Sequence, residues 1–185
     1  MKRSISSFLA VALLTATATL SASAESAPGE VDFTGIAEPG QNAEYVDIHL
    51  GHNLIALAAR LVDKQQPEAA RLLRSVQLVH LNVVGVADEN RDAMQKRVHE
   101  FRSQLEKNGW VRVVTVRQKG GEDVGIFVKT HGDESVEGVV VTVLDGKEEA
   151  VLINIVGDIK PEQIAAVGEA LNIDPLKQAG ALIKK

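Results

Sequence analysis

The chain contains no cysteine, which excludes disulfides, thiolate metal sites and thiol nucleophiles. Whatever holds the fold must be packing and hydrogen bonding. Aromatic residues are scarce, with one Trp, one Tyr and four Phe in 185 residues, so the stacking platforms that grip single-stranded nucleic acid are missing. Basic residues are outnumbered, 20 Lys and Arg against 25 Asp and Glu for a formal net charge of −5, and most bases have acids for neighbours. No basic stripe is available to displace counterions from phosphates, so nucleic acid is not an expected partner. There is no G-x-S-x-G nucleophile elbow and no Walker-type phosphate loop, and Gly120, Gly121 and Gly125 are too sparse to cradle a dinucleotide.

The only long apolar run lies at the start. Lys2 and Arg3 form a basic n-region, residues 5 to 20 are rich in Ala, Leu and Thr, and Ala22-Ser23-Ala24 has the small residues of a cleavage site. Together these read as a secretory signal peptide, too short and too diluted by Ser and Thr for a transmembrane anchor. Its removal near Glu25 leaves roughly 160 residues, enough to bury one core. The expected organisation is a signal peptide over 1–24, a flexible N-terminal arm over 25–44, an α+β domain over 45–172 and a C-terminal tail over 173–185. Export then implies a periplasmic or secreted protein that is not membrane-embedded.

The rest of the chain is organised around residues 136 to 159, two apolar runs joined at Asp145-Gly146, the strongest short-range hairpin signal. Val139, Val141 and Val143 alternate with Val140, Thr142 and Leu144, and Val151, Ile153 and Ile155 alternate with Leu152, Asn154 and Val156. Both faces are largely apolar, the pattern of strands at the centre of a sheet. Asn154 interrupts it and must be hydrogen-bonded if buried.

Elsewhere, Tyr45 to Leu50 alternates as a half-exposed strand, with Tyr45, Asp47 and His49 on one face and Val46, Ile48 and Leu50 on the other. From Asn53 the period turns helical, and Leu54, Leu57, Ala58, Leu61 and Val62 form an apolar stripe predicted to face the core. Pro67 opens a second helical turn. Residues 77–86 form a strand. A helix capped by Asp88 carries Met94, Val98, Phe101 and Leu105 on one face and ends at Asn108-Gly109. Strands follow at 110–118 and 122–130, and Pro161 opens a last helix with Ile164, Val167, Gly168 and Leu171 inward. The order β-α-β-α-β-β-β-β-α predicts a single α+β domain whose mixed sheet carries helices packed on it, parallel early and antiparallel late.

The hairpin, the Asn154-Ile155-Val156-Gly157 run and the Lys160-Pro161-Glu162-Gln163 helix start resemble the C-terminal half of a bacterial family of exported proteins and lipoproteins, a domain of unknown function. Asn108-Gly109-Trp110 and Val31-Asp32-Phe33 extend the resemblance over residues 31 to 172. It implies no catalytic residues, because the family carries no established activity. Many members resemble lipoproteins with a lipid-modified cysteine after the leader, and this chain has none.

The five histidines are where metal or acid–base chemistry would have to be sought. Asp47, His49 and His52 form D-x-H-x-x-H and could gather two imidazoles and a carboxylate around zinc, but the spacing straddles a strand end and a glycine, unlike motifs held on one rigid helix. A solvated edge is the expected reading. His80 beside Asn82 suits a hydrogen-bonded sheet residue, His99 the polar side of a helix, and His131 a turn. Asp145, Glu148 and Glu149 crowd an exposed hairpin tip, which cannot exclude water as paired catalytic carboxylates require.

No site residue and no cofactor is therefore predicted, and catalysis is not evident. The expected function is that of an exported periplasmic accessory or binding protein acting through contacts with an envelope protein. The alternatives are a carrier of apolar small molecules or lipids, and a weak metal-dependent enzyme using Asp47, His49 and His52.

Overall fold

The computed structural model describes residues 27–36, 44–118, 121–132, 135–145 and 148–160. Nine elements run in the order β1 (Tyr45–Gly51), α1 (His52–Val62), α2 (Pro67–Ser75), β2 (Val76–Gly85), α3 (Arg91–Lys107), β3 (Val111–Arg117), β4 (Asp123–His131), β5 (Ser135–Leu144) and β6 (Glu149–Ile159). The strands form one six-stranded sheet in the order β1-β2-β6-β5-β4-β3. The fold is α+β, with the strand and helix order that the sequence predicts over these elements. The helix expected from Pro161 lies outside the described residues.

The apolar hairpin occupies the middle of the sheet. β5 pairs with β6 from Val136↔Ile159 to Leu144↔Ala150, and β6 is flanked on its other side by β2. This is the position that two apolar faces demand.

The sheet is antiparallel throughout, so the parallel neighbours expected early in the chain are not formed. The cause is Pro67 at the first position of α2. It splits the first crossover into two short helices, and a chain that crosses the sheet twice between strands returns antiparallel. α3 is a single crossover and does leave β2 and β3 pointing the same way, but β6, β5 and β4 lie between them.

Two hydrophobic clusters lie on opposite faces of the sheet. On one, Ile55 of α1 and Leu72 of α2 join Val79, Ile126, Val139, Val141, Ile153 and Ile155. On the other, Met94, Val98, Phe101 and Leu105 of α3 join Trp110, Phe127, Val140 and Leu152. The α3 row recurs at spacings of four, three and four, as one helical face must. Its end at Asn108 is followed by Gly109 at φ +83°, a left-handed cap that glycine adopts without cost. Its start differs from expectation. Asp88 pairs with Arg91 at 2.8 Å, and the N-cap position belongs to Asn90, whose Oδ1 accepts from the Ala87 N–H at 2.8 Å.

Residues 27–36 of the N-terminal arm are tacked onto the body by Phe33 and Ile36, which join the second cluster. Asn154 holds them there. Its Oδ1 accepts from the Val31 N–H at 3.0 Å, and its Nδ2 donates to the Gly29 carbonyl at 3.0 Å and the Val139 carbonyl at 3.2 Å. The side chain is fully buried, and its amide oxygen and nitrogen are both engaged, which answers the polar interruption in an apolar strand. The close approach needs Gly138, where a Cβ would lie 2.7 Å from both Gly29 Cα and Trp110 Cη2.

Candidate functional site at the β1–β2 edge

Strand alternation sets Tyr45, Asp47 and His49 on one side of β1. Antiparallel pairing with β2 then opposes Tyr45 to Val84, Asp47 to Asn82 and His49 to His80. The sequence places Asp47 and His49 on one strand face; pairing adds Asn82 and His80, from more than thirty residues downstream, to the same face.

These side chains bond to one another. The Tyr45 hydroxyl donates to Asn82 Oδ1 at 2.9 Å, which turns the Asn82 amide nitrogen toward Asp47 Oδ1 at 3.0 Å and His80 Nε2 at 2.8 Å. The opposite amide orientation would set an oxygen against the Asp47 carboxylate. His80 Nε2 is also 3.0 Å from Asp47 Oδ1. Two proton arrangements satisfy this triangle: Nε2–H donates to Asp47, or a bare Nε2 accepts from Asn82. The His49 ring lies 5.3 Å from that of His80, and Phe33 covers His80 from the arm at 4.9 Å.

Water loss around Tyr45, and then the Asp47 charge beside it, push its phenol above the ordinary tyrosine range. Tyr45 therefore stays a neutral donor. Nearby, Asp32 is held below the usual carboxylate value by the Thr34 hydroxyl and N–H, both of which donate to it.

Asn82 is buried, whereas Asp47 is half-exposed and His49 exposed. The result is a polar ladder at the β1 edge of the sheet, where no further described strand pairs. His52, grouped with Asp47 and His49 by sequence spacing, opens α1 beyond Gly51. The D-x-H-x-x-H residues do not converge, and no group of three His, Asp or Glu with metal-holding geometry occurs among the described residues.

The opposite side of the same edge is apolar. The α1 stripe predicted to face the core is turned outward. Ile55 and Ala59 are buried, while Leu54, Leu57, Ala58 and Leu61 are exposed, Leu57 by 53% and Leu61 by 75%. The segment LIALAARLV is apolar around most of its circumference, so periodicity alone cannot choose which row points down. In the fold the row of Ile55 and Ala59 points down. α1 lies over β1 and β2, and α2 over β2 and β6; the Asp63–Arg74 ion pair at 2.8 Å joins the side of α1 that faces α2. The leucine row is exposed, and so are Val46 and Ile48 of β1, on the face of the sheet that α1 packs against.

The family comparison covers β1, α1 and β2 of this edge. Residues 40–167 match a domain of unknown function, DUF4252, over more than half of the chain. The chain belongs to the DUF4252 family. All six strands of the DUF4252 sheet fall within the match, and the docked residues 27–36 precede it. No curated protein and no solved structure matches the chain.

The other residues singled out in the sequence have local roles in this DUF4252 domain. His131 Nδ1 is 2.6 Å from Glu137 Oε1, across β4 and β5; that hydrogen bond, followed by the Glu137 charge, raises the imidazole above its ordinary value. His99 accepts at its carbonyl from the Ser103 hydroxyl, 3.0 Å away. Asp145 Oδ1 accepts from the N–H groups of Glu148 and Glu149 at 2.8 and 3.1 Å, a turn-stabilising role.

One residue escaped sequence reasoning. Arg102 lies in the apolar row of α3, buried, and its Nε donates to Thr142 Oγ1 at 2.8 Å while Nη1 meets Asp123 Oδ1 at 2.7 Å. Burial pushes the guanidinium down and Asp123 opposes that shift. The signal was present: a basic residue four positions after Val98, with Thr142 set among valines. Gly125 leaves the space, since a Cβ there would lie 3.1 Å from Arg102 Nε.

Proposed function

We propose that this protein is an exported, periplasmic accessory protein of the bacterial envelope, acting through protein–protein contacts made at its β1–α1 edge. The observation that carries the reading is the concentration of exposed apolar side chains there. Tyr45, Val46, Ile48, Leu54, Leu57 and Leu61 are six of the eight exposed large hydrophobic residues among those described. Singly such residues are ordinary; gathered beside a strand whose outer edge pairs with no described strand, they mark an interaction surface. The signal-peptide pattern over 1–24 supports export, and no described helix is long and apolar enough to cross a membrane. The polar groups of the edge are occupied with one another, which supports a binding role over a catalytic one.

A photo-reactive side chain placed at Leu57 tests the reading in cells making the full chain. Irradiation is expected to give a covalent protein adduct from Leu57 and none from Arg71, on the exposed side of α2. Equal or absent labelling at the two positions overturns the edge as a contact surface. Protein that stays in the membrane fraction after a salt wash overturns the soluble periplasmic assignment.

A further inference from the structure

The geometry points to a second copy of this chain as the occupant of that edge, joined by antiparallel pairing of β1 with β1 across a two-fold axis at Ile48. The inference rests on the edge being a protein contact surface and names what covers it. Its first support is the backbone. The Gly85 N–H donates to the Glu44 carbonyl at 2.8 Å, so residues 44, 46, 48 and 50 direct their hydrogen-bonding groups to β2. Tyr45, Asp47, His49 and Gly51 present theirs outward, paired with no described strand. An antiparallel self-pairing must oppose residues of equal parity, which restricts the axis to a residue position.

Side-chain chemistry selects the position. Centred on Asp47, the pairing opposes two carboxylates; centred on His49, it opposes two imidazoles and leaves Tyr45 and Val46 unpaired. Centred on Ile48, it uses all seven residues of β1 and sets Asp47 opposite His49 of the other copy, twice over. Ile48 then meets Ile48 and Val46 meets Leu50 on the apolar face, and the flanks of the two α1 helices carrying Leu54, Leu57 and Leu61 are brought toward each other. On the polar face, His80, His49, Asp47 and Asn82 continue as one ladder through the axis. An isologous contact of this kind closes on itself and leaves no strand edge at β1 exposed.

Because the chain has no cysteine, single cysteines report the register directly. Ile48 faces its own copy at a non-hydrogen-bonded position, where Cα atoms approach to about 4.5 Å, within disulfide range. Val46 would lie four residues, roughly 13 Å, from its copy. Purified I48C is expected to form a disulfide-linked dimer on mild oxidation and V46C to remain a monomer on a non-reducing gel. Sedimentation equilibrium should give twice the chain mass. H49D, which sets two carboxylates opposite two others, should raise the dimer dissociation constant about tenfold, and H49K should not. Circular dichroism on each variant verifies folding.

A monomer at all concentrations with no I48C disulfide overturns the second copy, as does a dimer cross-linked by V46C and not by I48C. In either case a Leu57 adduct with a different protein leaves the broader contact reading standing. The absence of any adduct removes both.

Discussion

The sheet holds two strand pairs that each carry a buried asparagine, and they use it differently. In the central pair, β5–β6, Asn154 binds only backbone and ties residues 29 and 31 to the core. In the edge pair, β1–β2, Asn82 binds only side chains, Tyr45, Asp47 and His80. The centre closes on itself, its asparagine spent on the protein's own main chain and its apolar faces covered. The edge is paired with β2 on one side of the strand and with no described strand on the other. An amide in a β-strand is thus a fastener in both places, but at the centre it completes the fold, and at the edge it aligns a surface.

The sharpest way to break this comparison is at the closed side. Arg102→Ala should cost about 3–5 kcal/mol in chemical denaturation, because it leaves Asp123 without its buried partner. A loss below about 1 kcal/mol would mean that α3 is held by its apolar row alone.

Asn154→Leu should cost about 1–3 kcal/mol by leaving arm backbone groups unpaired. Hydrogen exchange gives the local readout: the Val31 amide should lose protection while β2–β6 amides keep theirs. An unchanged Val31 amide would make Phe33 and Ile36, and not the asparagine, the fastener.

At the open side the expectation reverses. Leu57→Asp should stay within about 0.5 kcal/mol of the parent, as exposed positions do, while abolishing association at the edge. A large stability loss would show that α1 is packed as core.

The smallest effect concerns pH. His131 has its pKa raised by Glu137, so its contribution is fully present below the unfolded value near 6.5 and fades as pH rises through the higher folded value. The group is exposed, and the effect on the melting temperature should be slight. NMR titration is the direct check, and Glu137→Gln should return the His131 midpoint toward 6.5.

Much of the closed region was legible in the sequence. The doubly apolar hairpin announced the centre of the sheet, and the α3 row with Asn108-Gly109 announced a capped helix, because each signal depends on residues close together in the chain. The edge was half legible: alternation put Asp47 and His49 together, but only strand pairing brings Asn82 and His80 to them. The outward roll of α1 was hidden because nearly every side of that helix is apolar. Pro67 did announce a second helix, but that it is long enough to cross the sheet again and return β2 antiparallel depends on packing, which short-range signals do not carry. Arg102 was missed because its partners, Asp123 and Thr142, lie 21 and 40 residues away.

The position of β6 has a consequence for how the chain can fold. It is the last of the described strands, yet it lies between β2 and β5, and it carries the asparagine that receives Val31 from 123 residues upstream. As synthesis proceeds from the N-terminus, β1–β2 and β3–β4–β5 are two separate small sheets with raw inner edges, and residues 27–36 lack the asparagine that fastens them. Only α3 bridges the two sheets until β6 slides between. A topology that leaves the non-local pairing of a central strand to the end folds slowly and leaves apolar edges bare in the meantime. In this protein the keystone is cut last.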